Sequence, residues 1–116
     1  MLSFQKLDVY RCAIEFLALS IGFPADLPKG HSALVDQLRR AALSVPLNIA
    51  EAAGRVSDAD VARHYGIARG SAMECAAIVD VLQVLGAIDR QRHASGLELL
   101  ERVVSMLTKL ARVQSG

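Results

Sequence analysis

The residues able to do chemistry in this chain crowd between Gln37 and Glu74. Arg39, Arg40, Arg55, Arg63 and Arg69 all fall there, and ten of the thirteen basic residues are arginine. The planar guanidinium suits two-pronged contact with phosphate, so this group is a candidate contact surface for RNA or DNA. In the same stretch Arg40, Ser44, Asn48, Glu51 and Arg55 step by three and four, which places them along one side of a helix. Two readings of that stripe stand. In one it is a solvated face with ion pairs to Arg69 and Glu74 on a neighbouring helix, which fix register. In the other it is a functional surface that reads phosphate. Charge restrains the second reading. Glu51, Asp58, Asp60 and Glu74 leave the five arginines a surplus of one, and the whole chain carries a formal +1, a faint footprint for a nucleic-acid binder.

Catalysis has less to stand on. Ser44, His64 and Glu51 are the residue types of a nucleophile, base and acid, but no spacing ties them together. No nucleophile elbow, phosphate-binding loop or dinucleotide fingerprint occurs. His31, His64 and His93 lie far apart, and no histidine pair or Glu-x-x-His step suggests a metal. Cys12 and Cys75 stand 63 residues apart with no second thiol near either, which reads as two reduced core residues. No catalytic residue, cofactor or metal ligand is assigned, and the protein is expected not to be an enzyme.

Four stretches carry a helical period, and none alternates as a strand would. The first helix is expected over about 7–21, with Leu7, Tyr10, Ile14, Leu17 and Ile21 as its inward seam and Ala13 and Phe16 widening it. Gly22 is a candidate C-terminal cap, and Pro24 discourages helix before it. The second is expected over 32–53 from an N-cap at Ser32, with Leu34, Leu38, Ala41, Val45, Ile49 and Ala52 inward. Pro46 sits in phase within it and predicts a bend rather than a break. The third, 58–86, starts at Ser57, with Asp60 three residues on and Asp58 and Asp60 at the positive end of the helix dipole. Val61, Tyr65, Ala68, Ala72, Cys75, Val79 and Leu82 make its seam. Gly66 and Gly70 would mark a close helix approach. Residues 87–93 read as a charged turn, and a fourth helix follows over 94–113, with Leu97, Leu100, Val104, Leu107 and Ala111 inward and Val103 and Leu110 beside them.

These elements predict one all-α domain over 1–116, an antiparallel up-down-up-down four-helix bundle. The 116 residues are enough to bury a core without metal or disulfide. A hydrophobic share of 53% excludes disorder. With tyrosine left out and glycine counted in, the apolar share is 58%, above the ~45–50% of ordinary soluble domains on that set, which predicts an apolar face buried against a partner, the first candidate being another copy of the chain. No long uncharged apolar run exists, so no membrane contact is expected. Lys6, Asp8 and Arg11 interrupt any leader-like stretch, and a cytoplasmic location is expected.

Phe4-x-x-Leu-Asp-Val-Tyr10, the string Gln37-Leu-Arg-Arg-Ala-Ala-Leu-Ser-Val-Pro-Leu-Asn-Ile-Ala-Glu51, then Gly54-Arg55-x-Ser57 and Ile67-Ala-Arg-Gly-Ser71 with Glu74 resemble the bacterial four-helix proteins encoded in intervening sequences of 23S ribosomal RNA genes. The likeness covers nearly the whole chain. It implies a bundle that assembles as a ring-like homopentamer. A related branch, the accessory variability determinants of diversity-generating retroelements, implies as alternatives a nucleic-acid-binding accessory role or a scaffold for another protein. By this resemblance Arg39, Arg40, Asn48, Glu51, Arg55, Arg69, Gly70, Ser71 and Glu74 are the signature positions, with Asn48, Glu51, Gly70, Ser71 and Glu74 as structural ones. The chain departs from the pattern at Ala52, at His64-Tyr65-Gly66, and at Ala72 and Ala76.

Overall fold

The computed structural model describes residues 1–24 and 27–115, the side chains of 114 and 115 excepted. The linker residues Ala25 and Asp26 and the terminal Gly116 lie outside that description. A 3-10 turn, Ser3–Lys6, leads into α1 (Asp8–Ile21), followed by α2 (Ala33–Ala53), α3 (Asp58–Val84) and α4 (Arg90–Ser115). No strand occurs among the described residues. The body measures 45 × 24 × 23 Å. That length fits α3, whose 27 residues span about 40 Å at 1.5 Å each.

Each helix packs against two others. α3 lies on α2 and α4, and α1 lies on the same pair; no close backbone approach joins α1 to α3 among the described residues. The core is aliphatic and rich in alanine, with Ala13, Ala41, Ala42, Ala52, Ala68 and Ala72 all buried. Such short side chains let helices approach closely.

The expected seams of α2 and α3 are the buried ones, with Leu34 and Val61 half-buried at their ends. On α4 Val103 is fully buried while Val104 is only half so, a slight rotation of the expected face. α1 departs further. Its buried residues are Val9, Cys12, Ala13, Phe16 and Ser20. The 3-4-3-4 series expected inside lies at the rim or outside, with Ile14 39% and Ile21 64% exposed. α1 carries two apolar stripes. The fold buries the one that holds the bulky Phe16 among small neighbours, because that stripe lets α1 sit deepest.

The helix ends correct further expectations. Ser57 caps α3 through its hydroxyl, which accepts from Asp60 N at 3.2 Å. Ser32 makes no such bond and is itself helical in φ and ψ; the first turn of α2 is closed instead by Leu34 N donating to the His31 carbonyl. Gly22 and Gly54 end their helices in right-handed geometry. Gly86 alone closes a helix in the left-handed region, at φ +72°. There Gly86 N reaches the Gln83 carbonyl and Ala87 N the Leu82 carbonyl, the paired bonds of a Schellman stop. α4 begins at Arg90, inside the expected turn, because Asp89 Oδ1 accepts from Arg92 N at 2.8 Å. α2 continues through Pro46 without a break.

Gly66 and Gly70 do not mark a close approach. A Cβ at either would meet nothing within 4 Å. The glycine at a helix contact is Gly96 of α4, buried, where a Cβ would lie 3.5 Å from Phe16 Cε1 and 3.8 Å from Val79 Cγ1.

Both thiols are buried and unpaired with each other. Burial pushes Cys75 up to about 12, with the Glu74 carboxylate adding and a backbone hydrogen bond opposing. Burial also raises Cys12, with Arg102 opposing and Glu15 and Asp8 adding. Native protein at about pH 8 is therefore expected to resist an aromatic disulfide reagent, and both thiols should react on unfolding. Rapid labelling of the folded chain would contradict this packing. The unfolded thiols ionise near their ordinary 9.0, while native Cys75 keeps its proton to about 12. The unfolded state then binds fewer protons, so stability should fall as pH rises across that window.

Candidate functional site

Side-chain polar contacts join α3 to both of its neighbours, and those to α2 form a connected chain. Ser44 and Asn48 stand one turn apart on α2, and His64 and Ser71 two turns apart on α3, each pair beside an apolar seam. Asn48 Nδ2 donates to the Ser44 carbonyl at 2.9 Å and to Ser44 Oγ at 3.0 Å. Asn48 Oδ1 meets His64 Nδ1 at 3.0 Å. Ser71 Oγ donates to Ser44 Oγ at 2.8 Å, and Arg63 Nη2 lies 3.2 Å from His64 Nε2. The result is one chain of bonds, Arg63–His64–Asn48–Ser44–Ser71, across two helices. Among the described residues no buried side-chain nitrogen or oxygen lacks a partner.

This geometry revises the expected ion pairs. Arg69 does not reach the α2 stripe; its Nε donates to Thr108 Oγ1 of α4 at 2.8 Å, and Thr108 in turn donates to the Val104 carbonyl. Glu74 is exposed. Glu51 pairs with Arg55, just past the end of its own helix, at 2.9 Å, an exposed contact worth roughly 0–1 kcal/mol. The bonds that tie α2 to α3 are thus amide, imidazole and hydroxyl contacts rather than pairs of arginine with carboxylate.

The five arginines do not converge. Arg39 and Arg40 are exposed on α2, and Arg55 lies past the end of that helix, in the link to α3. Arg63 is turned onto His64, and Arg69 is half-buried toward α4. Ser44 and His64 do enter one network, but through Asn48, and Glu51 stands outside it. Sequence reading missed His64 and Thr108 as partners. A signal existed for the first: His64 shares a face with Ala68 and Ser71 at steps of four and three, beside the seam. Nothing in the spacing pointed to Thr108.

One surface groove is lined mainly by apolar side chains, with Glu101 and Ser105 also on its wall. It measures about 300 Å³ and runs between α3 and α4 along Met73, Ala76, Leu97, Leu100 and Val104. None of the network's polar atoms opens into it. No helix of the described residues is long and apolar enough to cross a membrane.

Fold and seam together define a small all-α protein of four packed helices whose middle pair is locked by its own polar side chains. The motif residues of that pair lead further: the chain belongs to the 23S rRNA-intervening sequence protein family, whose model matches residues 5–109. No curated protein matches the chain.

Proposed function

We propose that this is a non-catalytic, cytoplasmic up-down-up-down bundle that works by assembling with further copies of itself. The observation that carries the reading is the second apolar stripe of α1. Tyr10, Ile14, Leu17 and Ile21 keep the 4-3-4 spacing by which one helix meets another, yet they face outward or lie half-buried at the rim. Leu43 and Leu47 of the adjoining helix are 45% and 60% exposed. Asp8, Arg11 and Glu15 flank the stripe with both signs of charge, which suits a partner of the same composition. The alternating helix directions are supported by the contact order. Residue numbers rise on α3 as they fall on α2, through Asn48–His64 and Ser44–Ser71. They do the same on α3 and α4, through Arg69–Thr108 and Asp80–His93. α1 and α4 repeat the pattern, with Gly96 beside Phe16 and a groove joining Leu7 to Leu110.

Light scattering at micromolar concentration is expected to give a mass several times 12.4 kDa, a ring of five being the count the family resemblance implies. Ile14→Glu with Ile21→Glu should shift the particle to single chains with helical content kept. A wild-type mass of 12.4 kDa would overturn the proposal. Nucleic-acid contact has narrower support, in the exposed neighbours Arg39 and Arg40; Arg55 and Arg63, also exposed, already contact Glu51 and His64, and Arg69 is half-buried against Thr108.

A further inference from the structure

Four helices packed side by side leave four flanks between them. α1 meets α2 and α4, and α3 meets the same two, among the described residues. The α1–α2 flank therefore lies across the body from the α3–α4 flank. The other two flanks carry more polar groups. Between α2 and α3 runs the chain of bonds from Arg63 to Ser71, and the α1–α4 groove has Asp8 and Lys109 on its walls.

The outward stripe of α1 is a ridge on the first flank. Leu19 marks the side of α1 that faces α4, since a Cβ at Gly96 would lie 3.8 Å from its Cδ2. At about 100° per residue, Tyr10, Ile14, Leu17 and Ile21 fall on the other side of the helix, toward α2. Leu43 and Leu47 of α2 stand exposed as well. On the opposite flank the surface is recessed. Leu100, 2% exposed, is the floor of the α3–α4 groove, with Met73 and Ala76 from α3 and Leu97 and Val104 from α4 as its walls. Leu97, Leu100 and Val104 step by three and four, and so do Ile14, Leu17 and Ile21. Ridge and groove thus each extend about 10 Å along a helix. Glu101 is the charged side chain on the groove's wall, and Arg11, which lies with Glu15 beside Tyr10 and Ile14, gives the ridge a cation to set against it.

We propose that the α1–α2 ridge of one copy seats in the α3–α4 groove of the next, so that assembly runs head to tail. This rests on the self-assembly reading above and adds which two surfaces meet. A two-fold contact needs a single patch that complements itself. A ridge and a groove on opposite flanks cannot meet that condition, because the axis would bring ridge to ridge or groove to groove. Each copy that joins presents a fresh ridge on one side and a fresh groove on the other. Only a closed ring covers both on every copy, and an open string leaves one apolar surface bare at each end.

The experiment mixes two broken copies. Ile14→Glu with Ile21→Glu spoils the ridge and keeps the groove. Met73→Glu with Val104→Glu spoils the groove and keeps the ridge. Alone, each variant is expected to scatter light as single chains of 12.4 kDa with helical content kept. In an equimolar mixture one intact junction is left, so pairs of twice that mass should form and grow no further. The mixture is measured at near-millimolar concentration, because a lone junction lacks the added strength of ring closure. Should Val104→Glu disturb the fold, Met73→Glu alone, at a side chain 50% exposed, replaces the double variant and is expected to lower the wild-type mass by itself. A groove variant that keeps the wild-type mass, or a mixture that stays as single chains, overturns the ridge-to-groove pairing and leaves self-assembly standing. A wild-type protein that is itself a single chain overturns the self-assembly reading, and the pairing falls with it.

Discussion

Phe16→Ala is expected to cost about 3–5 kcal/mol of folding stability, the range for deleting a buried aromatic ring. Phe16 is 1% exposed and is the largest side chain that α1 buries. It sits at the crossing where Gly96 of α4 and Val79 of α3 come together. What surrounds it decides where in the range the value falls. The cost of a cavity depends on whether neighbours can move into it. Here many of the other buried residues are alanines, which have no torsions with which to follow, and Gly96 has no side chain at all. The void stays open, and the upper half of the range is expected. Tyr10 and Phe4 cannot substitute, because their rings are held edge to face against each other, centroids 5.0 Å apart, and both are only half-buried. Urea unfolding followed by circular dichroism, at one fixed protein concentration so that assembly does not enter the comparison, measures the effect. A loss under about 1.5 kcal/mol would place Phe16 outside the core.

The helices differ in what periodicity can decide. On α2 and α3 the expected seam is the buried one, although Leu43 and Leu47 of α2 and Ile67, Met73 and Val81 of α3 stay exposed. On α1 both stripes are apolar, and large exposed side chains outweigh Cys12 and Ala13 in any reading by hydrophobicity. Close packing favours the small residues, and only the other helices reveal that. The start of α4 was hidden for an electrostatic reason. Arg90, Arg92 and His93 are poor residues beside the positive end of a helix dipole, and the Asp89 cap that offsets them looks like one more charge in a turn. For the candidate site, the side of α2 that carries polar groups was legible, but the residues opposite were not. Ser44 and Ser71 are 27 residues apart and Arg69 and Thr108 are 39 apart. Spacing within a helix says nothing about the register between helices. Arginine and glutamate suggested charge pairing, and the fold chose amide, imidazole and hydroxyl groups that need less water removed from them.

Asn48→Leu should destabilise the protein by about 2–4 kcal/mol, far more than the few tenths expected for Glu51→Ala on the same stripe. The two side chains are close in size, so the loss is not one of volume. Removing the amide leaves His64 Nδ1–H without its acceptor in a site 7% exposed, and it strips Ser44 Oγ of one of its donors. A buried polar group left alone costs about 1–3 kcal/mol. The ring cannot escape by moving its proton. With the proton on Nε2 it would satisfy nothing at Nδ1 and would turn an N–H toward the Arg63 guanidinium. Either tautomer leaves one nitrogen unmatched, which is why the cost should approach the sum of two groups. The same reasoning predicts recovery: Asn48→Leu combined with His64→Leu removes both members of the bond, and the pair should be less damaging than the two single losses added together, by about 0.5–3 kcal/mol. Denaturant titration of the four proteins of that cycle measures the difference. Strict additivity, or a loss under about 0.5 kcal/mol for Asn48→Leu alone, would mean that α2 and α3 are held by their alanine seam and that the polar chain merely accompanies it.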